Sequence, residues 1–169
     1  MSTRRARTKD APAIHRLVAH YAAEGVLLPR TEEEICRNIS HFLVLEENRQ
    51  VIGCLSLESY GSDLAEVRSV AVGAERRGEG LGARLVEFAL LEARGRGIVR
   101  VFAVTHAPQF FERQGFAAAS RKTLVEKVER DCRTCPKQRT CKLVAVIATV
   151  IPERVVLPVL GEISAAPAC

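Results

Sequence analysis

The segment from Arg68 to Gly82 carries the most chemistry for its length: alternating apolar residues run into Gly78, Gly80 and Gly82, and an amphipathic stretch follows. Glycines let backbone approach an anion closely. The unpaired N–H groups at a helix start point at that anion with a favourable dipole. Together these make a phosphate cradle. The segment lacks the Lys-Ser/Thr ending of a nucleotide P-loop, and Arg77-x-x-Gly80-x-Gly82 is too short for a dinucleotide fingerprint. A second cluster, Cys132, Cys135 and Cys141, has spacings compatible with zinc, but a fourth ligand would have to be Cys169, Cys36, Cys54 or a histidine. Zinc, a redox-labile disulfide and plain reduced thiols all stay open there. Cys54, in an apolar run, reads as core and not as a nucleophile.

These residues need elements to hold them. Thr3 to Thr8 reads as a first strand, and Asp10 as the cap of a helix whose Ile14, Leu17, Val18 and Tyr21 fall on one face. Thr31 with Glu34 forms a capping box that opens a second helix through Cys36 and Ile39. The connection between the two helices carries Arg30. Phe42 to Leu45 and Val51 to Leu57 make a hairpin, and Ala65 to Val72 adds another antiparallel strand that ends at the glycines. The helix after them buries Leu81, Leu85, Phe88 and Ala89, and Gly95 and Gly97 mark its end. Ile98 to Val104 is a buried strand and Phe110 to Gln114 a short helix. A polar, basic stretch from Ser120 to Lys142 precedes a β-branched run from Leu143 to Ile151. We expect one domain over residues 1–151, and a tail at 152–169 laid over it.

Composition bounds the function. The chain has 169 residues, 47% hydrophobic and 27% charged, which excludes wholesale disorder. No uncharged run, the β-branched Leu143 to Ile151 included, approaches the about 20 residues a spanning helix needs. No secretory h-region follows the basic start, so we expect a cytoplasmic protein and no membrane partner. Lys and Arg number 25 against 20 Asp and Glu, for a net charge of +5, which favours an anionic partner. The charges are scattered, Trp is absent and no aromatic motif interleaves with them, so a phosphorylated cofactor fits better than nucleic acid.

Arg77-x-x-Gly80-x-Gly82 resembles the acetyl-CoA pyrophosphate motif of the GNAT superfamily of N-acetyltransferases, and the order of elements from Thr3 to Phe116 is similar to that fold. LLPRTEEE, VIGCLSLESYGSDLAEVRSVAV and DCRTCPKQRTC further resemble the short, single-domain N-acetylglutamate synthases of bacterial arginine biosynthesis. The resemblance implies an α/β fold, a mixed, bent sheet flanked by helices. It also implies direct transfer from acetyl-CoA to an amine in a ternary complex, with glutamate as the expected acceptor. A homodimer is an open expectation.

Carried over residue by residue, the resemblance assigns the pantetheine arm to the backbone of Val70, Ala71 and Val72. The pyrophosphate falls to the amides of Arg77, Gly78, Glu79, Gly80, Leu81 and Gly82. Glu66 matches the carboxylate that serves as base in many relatives, and alternation puts it on one face with Arg68. Many members protonate the leaving thiolate with a tyrosine, but here that position, at the cofactor, is Phe111. Thr105, His106 or water remain for the acid. Arg30 matches an arginine that faces the acceptor, and Arg68 and Lys127 are further candidates for holding a carboxylate. Two other readings stay open: a GNAT enzyme for a protein lysine or polyamine, and an acyl-CoA-binding module without turnover.

Overall fold

Among the described residues strand pairing is antiparallel except at one seam, and that seam organises the sheet. The computed structural model describes residues 1–135 and 140–150. Its seven strands are β1 (Ser2–Arg5), β2 (Phe42–Glu47), β3 (Gln50–Ser59), β4 (Leu64–Val72), β5 (Arg100–Thr105), β6 (Ala117–Ala119) and β7 (Val144–Thr149). They form one sheet in the order β1-β2-β3-β4-β5-β7-β6. The helices are α1 (Ala11–Ala23), α2 (Glu32–Arg37), α3 (Leu81–Gly95), α4 (Pro108–Glu112) and α5 (Val125–Lys127), the last continuing into a π-helical turn at Val128–Cys132. The mixed, bent sheet flanked by helices is therefore as expected.

Local chemistry sets the boundaries. Thr31 accepts the Glu34 N–H while Glu34 accepts that of Thr31, so the capping box opens α2. The β2–β3 hairpin closes through Asn48 and Arg49, both left-handed at φ 49° and 64°, as a tight turn of the strands' own twist requires. Asp10 differs from expectation. It precedes α1 but does not cap it, because its carboxylate accepts the Arg7 N–H at 2.7 Å and is held by the Arg4 guanidinium. It ties off a short 3-10 turn at Thr8–Asp10 instead, and the first strand stops at Arg5.

Alternation sorts the sheet's two faces. One face packs Leu43, Leu45, Leu55, Leu57, Ala65 and Val67 against Leu81, Leu85, Val86 and Ala89 of α3. On the other, Phe42, Val44, Cys54 and Ala71 pack under Ile14 and Val18 of α1 and Ile35 of α2. Farther along that second face a separate cluster gathers Tyr60, Leu64, Phe102, Leu124 and Ala145. Between the two clusters the strands carry Glu58, Glu66 and Arg68, with Glu58 directly opposite Glu66.

Two irregularities open this framework. β4 and β5 pair in parallel for three residue pairs only, Leu64 with Arg100, Ala65 with Val101 and Glu66 with Phe102, after which they diverge. In β4 the register with β3 slips between Ser56↔Arg68 and Cys54↔Ala71, so Ser69 and Val70 together face Leu55 in a bulge.

Candidate active site

Beyond the end of β4 the chain turns through Gly78 and Gly80, at φ 87° and 76°, into α3. Among the described residues no acceptor takes the N–H of Gly78, Gly80, Leu81, Gly82 or Ala83, so the turn and the helix start present a cluster of free donors. A cavity of about 390 Å³ opens on them, lined by Val72, Arg76, Arg77, Phe110 and Arg113 as well as the glycines. A Cβ at Gly82 would stand 3.3 Å from the Phe110 ring, whereas one at Gly80 would meet nothing within 4 Å. Donors, arginines and clearance fit a pyrophosphate.

The flank of this cradle is tied to α1. Tyr21 donates to the Val72 carbonyl at 2.8 Å and accepts from Arg77 Nε at 3.0 Å, and Arg77 also pairs with Glu24 at 2.9 Å. Of the expected cofactor contacts, the Val72 carbonyl is thus already engaged and the Arg77 side chain faces α1. Glu79 pairs with Arg76 at 2.7 Å.

Around Glu66 the side chains form a dense ionic network. Glu66 is 3% exposed. Its Oε2 accepts from Lys127 Nζ at 2.9 Å and stands 2.8 Å from the Tyr60 hydroxyl and 3.3 Å from Arg68 Nε. Oε1 takes no hydrogen bond among the described residues. Arg68 also bridges to Glu58 and to Asp131, the latter at 3.2 Å, which offsets the repulsion between the facing Glu58 and Glu66. Lys127, 6% exposed, is shared with Asp131 at 2.6 Å. Arg130 stacks on the Tyr60 ring at 3.6 Å.

Burial, the Glu66 charge and the Asp131 hydrogen bond push the Tyr60 phenol up, so it stays a neutral donor. Burial by itself would raise the Asp131 carboxyl, but hydrogen bonds from Lys127 and Tyr60 and the charges of Lys127 and Arg68 outweigh it and hold the group well below the usual carboxylate range. A carboxyl depressed in this way stabilises the fold at pH above its unfolded value of about 3.9, and that stability is lost as pH falls towards the folded value. Asp131→Asn should therefore lower the melting temperature at pH 7 and narrow the gap from wild type as the pH drops below about 4. Melting curves across that range test it; a gap that stays constant with pH overturns it.

The structure brings Glu66, Arg68, Lys127 and Arg30 to one region. Arg30 reaches it from the connection between α1 and α2, where its Nε donates to Ser69 Oγ at 3.1 Å. Thr105 ends β5, and its hydroxyl oxygen accepts the Ala107 N–H at 3.0 Å. Phe111 departs from the expected cofactor contact: it is 5% exposed, edge-on to Phe110 and Phe116 within the α3 core. The ring at the cradle is its neighbour, Phe110. Tyr60, Asp131 and Arg113 were not anticipated; a tyrosine six residues before Glu66 and an acid four after Lys127 were the available signals.

Cys54 is fully buried, and burial pushes its thiol up to about 12, so it is core and unreactive. Cys132, Cys135 and Cys141 are half-buried free thiols, and among the described residues no group of three ligands is placed to hold a metal. The expected tail, 152–169, lies outside the described residues. No helix among the described residues is long and apolar enough to cross a membrane.

Residues 38–118 match the acetyltransferase (GNAT) domain model. An uncharacterized N-acetyltransferase of Chlorobaculum tepidum is 40% identical over 146 residues, which cover 86% of this chain and 94% of that protein. The chain belongs to the GNAT acetyltransferase family. An amino-acid acetyltransferase of Mycobacterium tuberculosis is 36% identical over 135 residues, covering 78% of this chain and 77% of that one. The structure of N-acetylglutamate synthase from Neisseria gonorrhoeae, complexed with coenzyme A and N-acetyl-glutamate, superposes with a TM-score of 0.80 at 30% identity; the match covers 88% of this chain and 35% of that one. Against the Neisseria enzyme, this GNAT chain spans about a third of the length. Family membership makes it an acetyltransferase with acetyl-CoA as its co-substrate.

Proposed function

We propose that this acetyltransferase uses the α-amino group of an acidic amino acid as its acceptor, L-glutamate first, which is N-acetylglutamate synthase activity. Arg30 carries the reading. Among the described residues it has no carboxylate partner, whereas Arg68 and Lys127 of the same network are both ion-paired. A guanidinium that makes no salt bridge among the described residues, and whose charge reaches this network at Glu58, is arranged to receive the acceptor's own carboxylate. The names of the Mycobacterium and Neisseria relatives support the same chemistry.

An α-amine is mostly protonated at neutral pH and must lose a proton before it attacks a thioester. Glu66 takes that proton at Oε1, directly or through one water, while Lys127 and Arg68 keep the carboxylate in place through Oε2. The pantetheine arm lies along Val70 to Val72 where β4 and β5 diverge, and the free amides of Gly78 and of Gly80 to Ala83 hold the pyrophosphate, that of Glu79 being taken by the Arg76 carbonyl. Phe111 has no proton to give the departing thiolate. Thr105, whose oxygen is used as an acceptor, still carries one.

Thiol release from acetyl-CoA against a panel of amines tests the proposal. Glutamate should be the fastest acceptor. Arg30→Ala should raise its KM by about 10- to 100-fold, the equivalent of losing a charged hydrogen bond of roughly 1.5–3 kcal/mol, and leave the KM for acetyl-CoA nearly unchanged. Arg30→Lys should restore part of the loss, because an ammonium has no planar fork. Faster acetylation of spermidine or a lysine peptide than of glutamate, glutamine or aspartate overturns the acceptor assignment. Binding of acetyl-CoA without thiol release for any amine of the panel would make the chain a binding module.

A further inference from the structure

Among the described residues three that are not glycine adopt positive φ: Asn48 and Arg49, which the β2–β3 turn requires, and Ser69, at φ 51° inside a strand. A side chain in that conformation is strained, and glycine would adopt it freely. Backbone geometry therefore gives no reason for a serine. Its hydroxyl gives one: Ser69 Oγ accepts from Arg30 Nε at 3.1 Å across 39 positions of sequence. The bulge makes the contact reachable. Ser69 and Val70 share one place opposite Leu55, and Val70 packs with the α3 core while the Ser69 hydroxyl meets the connection between α1 and α2. The Ser69 carbonyl is engaged as well, accepting from Cys54 Sγ at 3.8 Å.

A guanidinium can grip a carboxylate side-on, through Nε and one Nη, or end-on, through both Nη groups. With Nε committed to Ser69, Arg30 keeps only the end-on mode. We propose that Ser69 is a positioning residue for the acceptor: it locks the Arg30 fork so that both Nη groups face the acceptor's carboxylate, and the bulge in β4 puts its hydroxyl within reach. The inference rests on Arg30 being the acceptor's carboxylate ligand.

Ser69→Gly and Ser69→Ala separate the hydroxyl from the backbone. Glycine relieves the left-handed strain and alanine keeps it, yet both remove Oγ. Both variants should raise the KM for glutamate by roughly tenfold, with kcat and the KM for acetyl-CoA within about twofold of wild type. In an Arg30→Ala background neither should add a further loss, since the group they position is gone. The following results overturn the proposal. One is a wild-type KM in Ser69→Gly beside a raised KM in Ser69→Ala, which makes the position a matter of backbone strain. Another is a Ser69 loss that adds in full to that of Arg30→Ala. The third is a fall in kcat with unchanged KM. If Arg30→Ala alone leaves every amino-acid KM unchanged, the acceptor assignment itself fails. If Arg30→Ala raises KM and neither Ser69 variant does, only the role of Ser69 fails.

Discussion

Glu66→Gln should lower turnover by about 10²- to 10⁴-fold, the usual scale of general-base assistance, and leave acetyl-CoA binding intact. Glutamine matches glutamate in shape but has no basic oxygen. The substitution is unusually clean for a buried acid. Removing one partner of a buried ion pair is ordinarily costly because the other charge is stranded. Here Lys127 keeps Asp131 at 2.6 Å and Arg68 keeps both Glu58 and Asp131, so neither cation is left alone. Thiol release at saturating substrates gives the turnover, and calorimetry with acetyl-CoA gives the binding. A loss fully recovered at high pH means Glu66 only tunes the ionisation of the amine. Unchanged turnover makes it a structural member of the ionic network.

Gly80→Asp should abolish measurable acetyl-CoA binding in a protein that still folds. At φ 76° the position disfavours most side chains, but aspartate is among those that visit this conformation, and its Cβ would meet nothing within 4 Å. Two effects then act together. The carboxylate accepts from the free N–H groups at the start of α3, as a helix cap does, and so occupies the donors a phosphate needs. It also sets a full negative charge where the helix end contributes roughly half a positive one. Calorimetry on the folded variant decides: wild-type affinity would put the cradle elsewhere.

What could be read from the sequence was what short-range pattern encodes. The strand from Ala65 to Val72, the glycine turn and the amphipathic helix after it are contiguous, so the cradle is legible in the order of residues alone. The capping box at Thr31 and Glu34 is equally local. Lys127 was harder: it lies in a stretch that reads as solvated loop, and its burial depends on Glu66, 61 positions away, and on Tyr60. The bulge at Ser69 left no trace, because Ser69-Val70-Ala71-Val72 alternates acceptably in either register and only the pairing with β3 reveals the slip. Phe110 and Phe111 are identical in type and about 100° apart around a helix, so which ring is core and which meets the cradle depends on how α4 docks. Asp10 has the right type and place for a cap of α1, and lost that role to the guanidinium of Arg4.

The three-pair seam between β4 and β5 makes the sheet two ladders and not one. β1 to β4 form an antiparallel four-strand unit that α1 and α3 cover, and β5, β7 and β6 form a three-strand unit that α4 covers. Each unit has its own antiparallel hydrogen-bond ladder, while Leu64–Glu66 with 100–102, and the Val99 and Arg100 N–H groups on the Asp63 carbonyl, join the two. The two units should open as separate events in hydrogen exchange, each with its own free energy. A substrate arm seated in the wedge would stitch the ladders along their diverging edges, so part of its binding energy should emerge as cooperativity: two opening events merging into one.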